Sequence, residues 1–179
     1  MVKNILLIFL SLLAIFTSLL SLLIFIKSSN LIQKIKVESI VSIPDLSTVG
    51  YAKIEKIDVN VLSDIGIIKL YAKCYEITAY TEKSQAESIK ETIIGKRSFR
   101  PNTHDLFADV LKNLNIQLLM VKIIDLRNNT YIGRMIVKQD NKILSLDCRP
   151  SDGTALALRV GAPIYIKESL LRSYGKYIC

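Results

Sequence analysis

Asp147-Cys148-Arg149-Pro150-Ser151-Asp152-Gly153-Thr154-Ala155-Leu156-Ala157-Leu158-Arg159-Val160-Gly161-Ala162-Pro163-Ile164-Tyr165-Ile166 holds a strand end, a charged corner, a buried helix, a glycine stop and a short strand in one run. Pro150 is pre-set for a helix entrance, and Ser151 or Asp152 is expected to accept from the orphan N–H groups of the first turn. Ala155 to Leu158 is apolar on nearly every side, which predicts a buried helix rather than an amphipathic one. Gly161 suits the left-handed residue after the last turn, and Pro163 prevents continuation. Arg149 and Asp152 then lie at a polar rim where a buried element surfaces.

Working back from this run, the pattern has a period of two. Leu119–Arg127, Thr130–Lys138 and Ile143–Cys148 read as a three-strand meander, turned at Asn128-Asn129 and Asp140-Asn141. Two-residue turns place Asp125 opposite Ile132, Ile123 opposite Arg134, and Arg134 opposite Asp147. One face then carries Met120, Ile124, Leu126, Tyr131, Met135, Val137, Leu144 and Leu146, a core face interrupted by Lys122. The other carries Asp125, Arg127, Arg134, Ser145, Asp147 and Arg149, since register fixes which residues share a face.

Before the meander, Thr103 opens an amphipathic helix with an apolar stripe of Leu106, Phe107, Val110, Leu111 and Leu114. Glu82–Ile94 is helix-like, with Thr81 as its cap and Gly95 as its stop. Tyr51–Leu62 alternates as a strand, and Ile67–Tyr80 supplies one or two more.

Three of these stretches resemble the signature of the bifunctional nuclease domain family. They are DCRPSDGTALALRVGAPIYI from Asp147, Arg100-Pro101-Asn102-Thr103-His104-Asp105-Leu106, and the hairpin Ile124–Arg134. The resemblance covers roughly Ile54 to Leu171 and is strong from Arg100 onward. It departs at Gly153-Thr154, where the family usually has a small apolar residue followed by Ile; this departure is expected to weaken the helix start. The resemblance implies a sheet packed on helices, nuclease activity on DNA and RNA, and a homodimer.

At the N-terminus, Ile5–Ile26 carries no charge and is bracketed by Lys3 and Lys27. A helix over this run is about 33 Å long at ~1.5 Å per residue, enough to cross a ~30 Å hydrocarbon core. The run exceeds the ~7–15 residues of a signal-peptide core, and no clear Ala-x-Ala site follows, so an uncleaved anchor is favoured over a signal peptide. Lys27, Lys34 and Lys36 against Lys3 lean toward a cytoplasmic C-terminal domain. Cys74, Cys148 and Cys179 lean the same way, because an odd set without C-x-x-C spacing suggests neither a disulfide framework nor a zinc site.

Residues 1–27 are thus expected to be a transmembrane anchor, 28–50 a linker and 51–179 one α+β domain. In that domain a mixed or antiparallel sheet with a three-strand meander packs against helices. Lys and Arg number 24 against 16 Asp and Glu; setting aside Lys3 and Lys27 leaves +6 outside the apolar run. That balance suits DNA, RNA or an anionic membrane surface, although scattered lysines also simply solvate a surface.

The face carrying Asp125, Arg134 and Asp147, with Arg149 and Asp152 at its edge, is the candidate site. Paired carboxylates such as Asp125 and Asp147 can hold a hard cation such as Mg²⁺, while Arg100, Arg134 and Arg149 bind phosphate. His104, the only histidine, stands beside Asp105 at a helix start and can serve as general acid or base. Each feature has a plainer reading too: Asp147 opposite Arg134 is an ordinary cross-strand ion pair, and Thr103 or Asp105 caps a helix.

No Gly-rich phosphate loop, Gly-x-Ser-x-Gly elbow, His-Glu-x-x-His or zinc cluster is present. The expected function is phosphodiester hydrolysis of DNA or RNA by a membrane-anchored protein. The alternative is a non-catalytic membrane-tethered module whose charged rim recognises a phosphate-bearing ligand or partner protein.

Overall fold

The computed structural model describes residue 13 and residues 15–27, 41–42, 46–97 and 99–179. The chain divides into two compact units, Met1–Ile40 and Val41–Cys179. In the first, residues 15–27 form helix α1, whose described side chains are exposed. Among the described residues no helix is long and apolar enough to cross a membrane. The first part of the spanning helix expected over Ile5–Ile26, and most of the linker expected over 28–50, lie outside the described residues.

The second unit is an α+β fold with two sheets. Strands β1 (Val41–Ser42), β2 (Tyr51–Lys53), β6 (Gln117–Arg127), β7 (Thr130–Gln139), β8 (Lys142–Cys148) and β9 (Ile164–Lys167) form one, in the order β1-β8-β7-β6-β9-β2. Strands β3 (Lys56–Val61), β4 (Ile65–Ala72), β5 (Tyr75–Glu82) and β10 (Lys176–Tyr177) form the other, in the order β10-β5-β4-β3. All neighbours are antiparallel except β6 and β9. Four helices follow: α2 (Lys83–Ile93), α3 (Thr103–Asn113), α4 (Pro150–Val160) and α5 (Glu168–Tyr174). Helix α2 packs on β3 and β4, α4 packs on β6 and β7, and the two helices pack on each other. The sheets therefore share one core, built around Val121, Ile123, Ile89, Leu156 and Ile166.

Local chemistry sets these elements. Asn128 and Asn129 both take positive φ, 47° and 60°, as a twist-matched two-residue hairpin requires. The strand expected over Tyr51–Leu62 is two strands, because the chain changes sheets between them. Ile54 N–H donates to Ile164 O at 2.8 Å and Glu55 N–H to Tyr71 O at 2.8 Å.

Helix α4 starts with Pro150 and ends at Gly161 in the left-handed conformation (φ 72°), as expected. Gly153 and Thr154 are buried and the helix start is intact: a Cβ at Gly153 would lie 2.9 Å from Val121 Cγ1 and 3.2 Å from Cys148 Sγ. Glycine there lets the helix sit close on the sheet.

Several expectations need correction. Neither Ser151 nor Asp152 caps α4; its N-cap is Arg149, which makes no side-chain cap bond. Thr81 does not cap α2, whose N-cap is Glu82. Asn102, not Thr103 or Asp105, is the N-cap of α3, and Asp105 completes a capping box with it. Of the apolar stripe on α3 only Leu111 is buried, while Leu106 and Leu114 are mostly exposed. The helix turns its Leu111 side inward, so the wider stripe overruns the buried contact.

The meander register holds at Asp125–Ile132 and Arg134–Asp147 but not at Ile123, which pairs with Gly133. Two irregularities in β6, between Leu118 and Met120 and between Ile123 and Asp125, absorb a residue each. A bulge changes which face every later residue occupies. Val121 and Ile123 therefore face the core, while Lys122 pairs with Arg134 on the opposite face. Lys122 is nonetheless buried, with Nζ donating to Ser47 O at 2.6 Å and lying 4.6 Å from the Tyr51 ring centre.

The cysteine reading is also corrected. Cys74 and Cys179 form a disulfide with Cα atoms 5.2 Å apart, across a sequence separation of 105. Pairing of β10 with β5 carries the chain end to the β4–β5 turn, where Ile178 N–H donates to Cys74 O at 3.0 Å. No short-range spacing encodes such a contact.

Candidate active site

A polar seam runs where α2, α3 and α4 meet, and each of its members is placed by helical periodicity. Asp152 and Arg159 lie seven residues apart on α4, on one stripe of that helix. Gln85 and Ser88, both buried, share a stripe of α2. Asn102, His104 and Asp105 form the N-terminal turn of α3, where Asn102 Oδ1 accepts from His104 N–H at 2.9 Å and Asp105 N–H at 3.0 Å.

At the mouth, Arg149 grips Asp152 with two bonds, Nε to Oδ2 at 2.6 Å and Nη2 to Oδ1 at 3.2 Å. The Arg149 side chain is 62% exposed, so this cation presents itself to solvent. Its hydrogen bond and charge attraction to Asp152 raise the guanidinium pKa further. Behind it, with the Gln85 amide oriented so that its oxygen meets the guanidinium, Gln85 accepts from Arg149 Nη2 at 3.2 Å and donates to Ser151 Oγ at 2.7 Å and to Thr81 Oγ1.

His104 links the mouth to the interior. Its Nε2 lies 3.2 Å from Asp152 Oδ1 and its Nδ1 lies 2.9 Å from Ser88 Oγ. The Ser88 hydroxyl accepts from Arg159 Nη2 at 3.1 Å and from Asn102 Nδ2 at 3.4 Å. With both lone pairs used, its proton points to His104 Nδ1, which assigns the Nε2–H tautomer and makes His104 a donor to Asp152. Ser88, His104 and Asp152 thus resemble a nucleophilic triad in composition only. Ser88 is buried and fully occupied, so it is no nucleophile.

The seam ends in a buried ion pair. Arg159 Nε donates to Asp105 Oδ1 at 2.7 Å, with the two side chains 8% and 11% exposed. Arg159 also donates to Ala155 O at 2.9 Å and Ser88 O at 3.3 Å, and Asp105 Oδ2 accepts from Asn102 N–H at 3.0 Å. Burial pushes the Asp105 carboxyl pKa up, but hydrogen bonds from Arg159 and from the Asn102 N–H outweigh it and hold it below the usual range.

The predicted residues therefore separate into groups. His104, Asp105, Arg149 and Asp152 belong to the seam. Arg100 is exposed on the loop before α3. Asp125, Arg134 and Asp147 are on the sheet face away from α4. Gly133 and Cys148 face α4, and their neighbours Arg134 and Asp147 alternate to the other side.

Each carboxylate there has its own arginine: Asp125 pairs with Arg127 at 2.7 Å, and Asp147 with Arg134 at 3.9 Å. The Arg127 hydrogen bond holds the Asp125 carboxyl low. Strand β7 separates the two carboxylates by about 10 Å at ~4.8 Å per strand. That is too far to share a cation, and among the described residues no three His, Cys, Asp or Glu gather closely enough to hold one. The residues do not fit a metal centre. Cys148, under α4, has its thiol pushed up to about 12, chiefly by burial, and is inert at neutral pH.

Sequence reading missed Ser88, Gln85, Asn102 and Arg159. Arg159 carried the clearest signal, as a charge seven residues after Asp152 in an otherwise apolar helix. The Asn-x-x-Asp spacing of Asn102 and Asp105 marked the cap.

A family model described as "Bifunctional nuclease domain" matches residues 76–178, which include every member of the seam. Two curated proteins of Mycobacterium tuberculosis are similar to the chain. They are "Uncharacterized protein MT1877" of strain CDC 1551 / Oshkosh and "Uncharacterized protein Rv1829" of strain ATCC 25618 / H37Rv. Each is 38% identical over 96 residues, covering 54% of this chain and 57% of the relative. The chain thus spans little more than half the length of the curated relatives it matches.

Proposed function

This chain belongs to the bifunctional nuclease domain family, and from that premise we propose that it hydrolyses phosphodiester bonds of DNA or RNA at the seam between α2, α3 and α4. The observation that carries this reading is the Arg149–Asp152–His104 arrangement. An exposed guanidinium and a doubly oriented carboxylate stand together at the rim, backed by the His104 imidazole.

Arg149 binds the non-bridging oxygens of the scissile phosphate and neutralises charge as it develops. Asp152 accepts a proton from a water molecule whose oxygen attacks phosphorus. The P–O bond to the leaving sugar oxygen breaks, and that oxygen takes a proton from solvent. His104 acts through Asp152 as a positioning residue, with its Nε2–H holding the carboxylate while Ser88 fixes the ring. Asp105 and Arg159 brace the start of α3 from beneath.

The test is cleavage of labelled single- and double-stranded DNA and RNA by the full chain. Asp152→Asn keeps the shape and the Arg149 contact but removes the base. It is expected to lower kcat by about 10²–10⁴-fold while leaving nucleic-acid affinity equal or higher. Equal cleavage by wild type and variant would sink the assignment.

A second observation bears on compartment. Disulfides persist in oxidising surroundings and are rare in the cytosol. We infer from Cys74–Cys179 that the domain works outside the cytoplasm, the reverse of the orientation that loop charges favoured. Thiol titration of protein isolated under alkylating conditions tests this: a reduced Cys74 in the native cell would overturn it.

A further inference from the structure

Two hollows on the second unit run into one another. The first, about 860 Å³, lies against α3 and the C-terminal end of α4 and reaches the Asp105–Arg159 pair. The second, about 680 Å³, continues it toward β2 and β3. They share Thr92, Leu158, Gly161, Ala162 and Pro163, so they form a continuous groove. A drug-sized ligand fills about 300–1,000 Å³, so two such hollows in line suit a polymer better than one small molecule.

The groove is basic at its rim and apolar on its floor. Lys96, Arg97, Lys112 and Arg159 line the first hollow with Asp105 and Asp109, and Lys53 and Lys56 line the second with Glu55, so six cations face three carboxylates. Most of these cations have partners. Arg97 pairs with Asp109 at 2.7 Å, Lys96 with Glu91 at 3.4 Å, and Lys56 with Asp58 at 2.8 Å. Lys53 and Lys112 are exposed and make no ion pair among the described residues. One marks each hollow. Between them the floor offers Leu158, Ala162 and Pro163. A basic rim over an apolar floor suits single-stranded nucleic acid: phosphates outside, unstacked bases against the floor. A duplex would keep its bases from that floor.

We propose that this groove binds a single strand of nucleic acid beside the scissile phosphate, with Lys53 and Lys112 as phosphate contacts. The assignment rests on the seam being the reactive centre, since Asp105 and Arg159 belong to both. From His104 to Lys112 is roughly 12 Å along α3 at ~1.5 Å per residue, so the strand engages the groove a short way from the cleaved bond.

The test is equilibrium binding of the full chain to fluorescent oligothymidylate, by anisotropy across a salt series. One probe is a dinucleotide and the other about a dozen nucleotides long, within the ~4–16 typical of single-strand sites. The variant is Lys53→Gln/Lys112→Gln, with Lys142→Gln at the start of β8 as control.

The expected result is a slope of log K against log salt reduced by roughly 0.7 for each lysine lost on the longer probe. Dinucleotide binding and the control variant should be unchanged. An unchanged slope, no binding of the longer probe by wild type, or an equal slope change on duplex would each overturn the proposal. Binding is read without turnover. A protein that never cleaves but shows the slope change refutes the nuclease reading and keeps the groove; one that cleaves with an unchanged slope does the reverse.

Discussion

His104 Nε2 lies 3.2 Å from Asp152 Oδ1, although 48 residues separate them in sequence. The contact joins the first turns of α3 and α4, so two helix starts converge on one polar edge. Because Ser88 occupies His104 Nδ1, the imidazole can serve Asp152 only as a donor. His104→Gln retains an N–H that reaches toward Asp152, whereas His104→Ala does not. The alanine variant is expected to lose about 10²-fold or more in kcat with little change in KM, and the glutamine variant to recover part of it. Equal losses in both, or a loss confined to KM, would contradict a positioning role.

Beneath that edge, Arg159 and Asp105 are buried together, and removing one partner strands the other. Arg159→Met should destabilise the fold by about 3–5 kcal/mol, while Arg159→Met/Asp105→Leu should cost much less. Urea unfolding of both variants decides this. The pH dependence follows from the lowered Asp105 carboxyl. The unfolded chain binds its proton more readily, so the contribution is fully present above the ordinary Asp pKa of about 3.9 and is lost as pH falls through the folded value. Asp105→Asn should therefore show a flatter stability profile than wild type in the acid range.

How far the sequence led depended on whether each signal was local. The α4 run was legible because Pro150, the Ala-Leu repeat and Gly161 each act within one turn. The meander was legible because Asn128-Asn129 dictates a hairpin. The faces of β6 were not, because nothing in Leu118–Asp125 marks where an extra residue is absorbed, and two bulges redistribute Val121, Lys122 and Ile123. The seam was half legible. His104, Asp105, Arg149 and Asp152 stood out by type, but Ser88 and Gln85 enter only once α2 is packed against α4.

That redistribution makes a prediction about the carboxylates first taken as a pair. Asp125 and Asp147 lie on strands separated by β7, each held by an arginine, on the sheet face away from α4. Asp125→Asn/Asp147→Asn should retain turnover within a few-fold of wild type, and exposed pairs of this kind are worth only about 0–1 kcal/mol each in stability. Abolished cleavage with an intact circular dichroism spectrum would return the chemistry to that face.

The disulfide sets a different expectation. Cys74 closes the β4–β5 turn onto the chain's last strand, while Cys148 is the free thiol. Unfolded without reductant, the protein should titrate one thiol per chain; with reductant it should titrate three. Cys179→Ser should lower unfolding free energy by about 2–4 kcal/mol. If wild type with reductant unfolds at the same urea midpoint as without it, the bridge contributes nothing to the fold.

Gly66 tests the contact between the second sheet and its helix. A Cβ on Gly66 would fall onto Ala86 Cβ, with Thr81 Cγ2 also 3.3 Å away, because α2 crosses β4 at this point. Ala86 is fully buried, and no flexible side chain stands between the backbones to yield. Gly66→Ala should therefore destabilise by about 1–3 kcal/mol through overpacking. The glycine is needed for space rather than for a left-handed backbone, so the cost should be coupled to Ala86. In Gly66→Ala/Ala86→Gly the methyl group simply changes sides. The double variant should be more stable than the two single losses sum to, with a coupling of about 0.5–3 kcal/mol. Strict additivity would mean that the helix shifts to admit the methyl group and that the close approach of α2 to β4 is not what Gly66 secures.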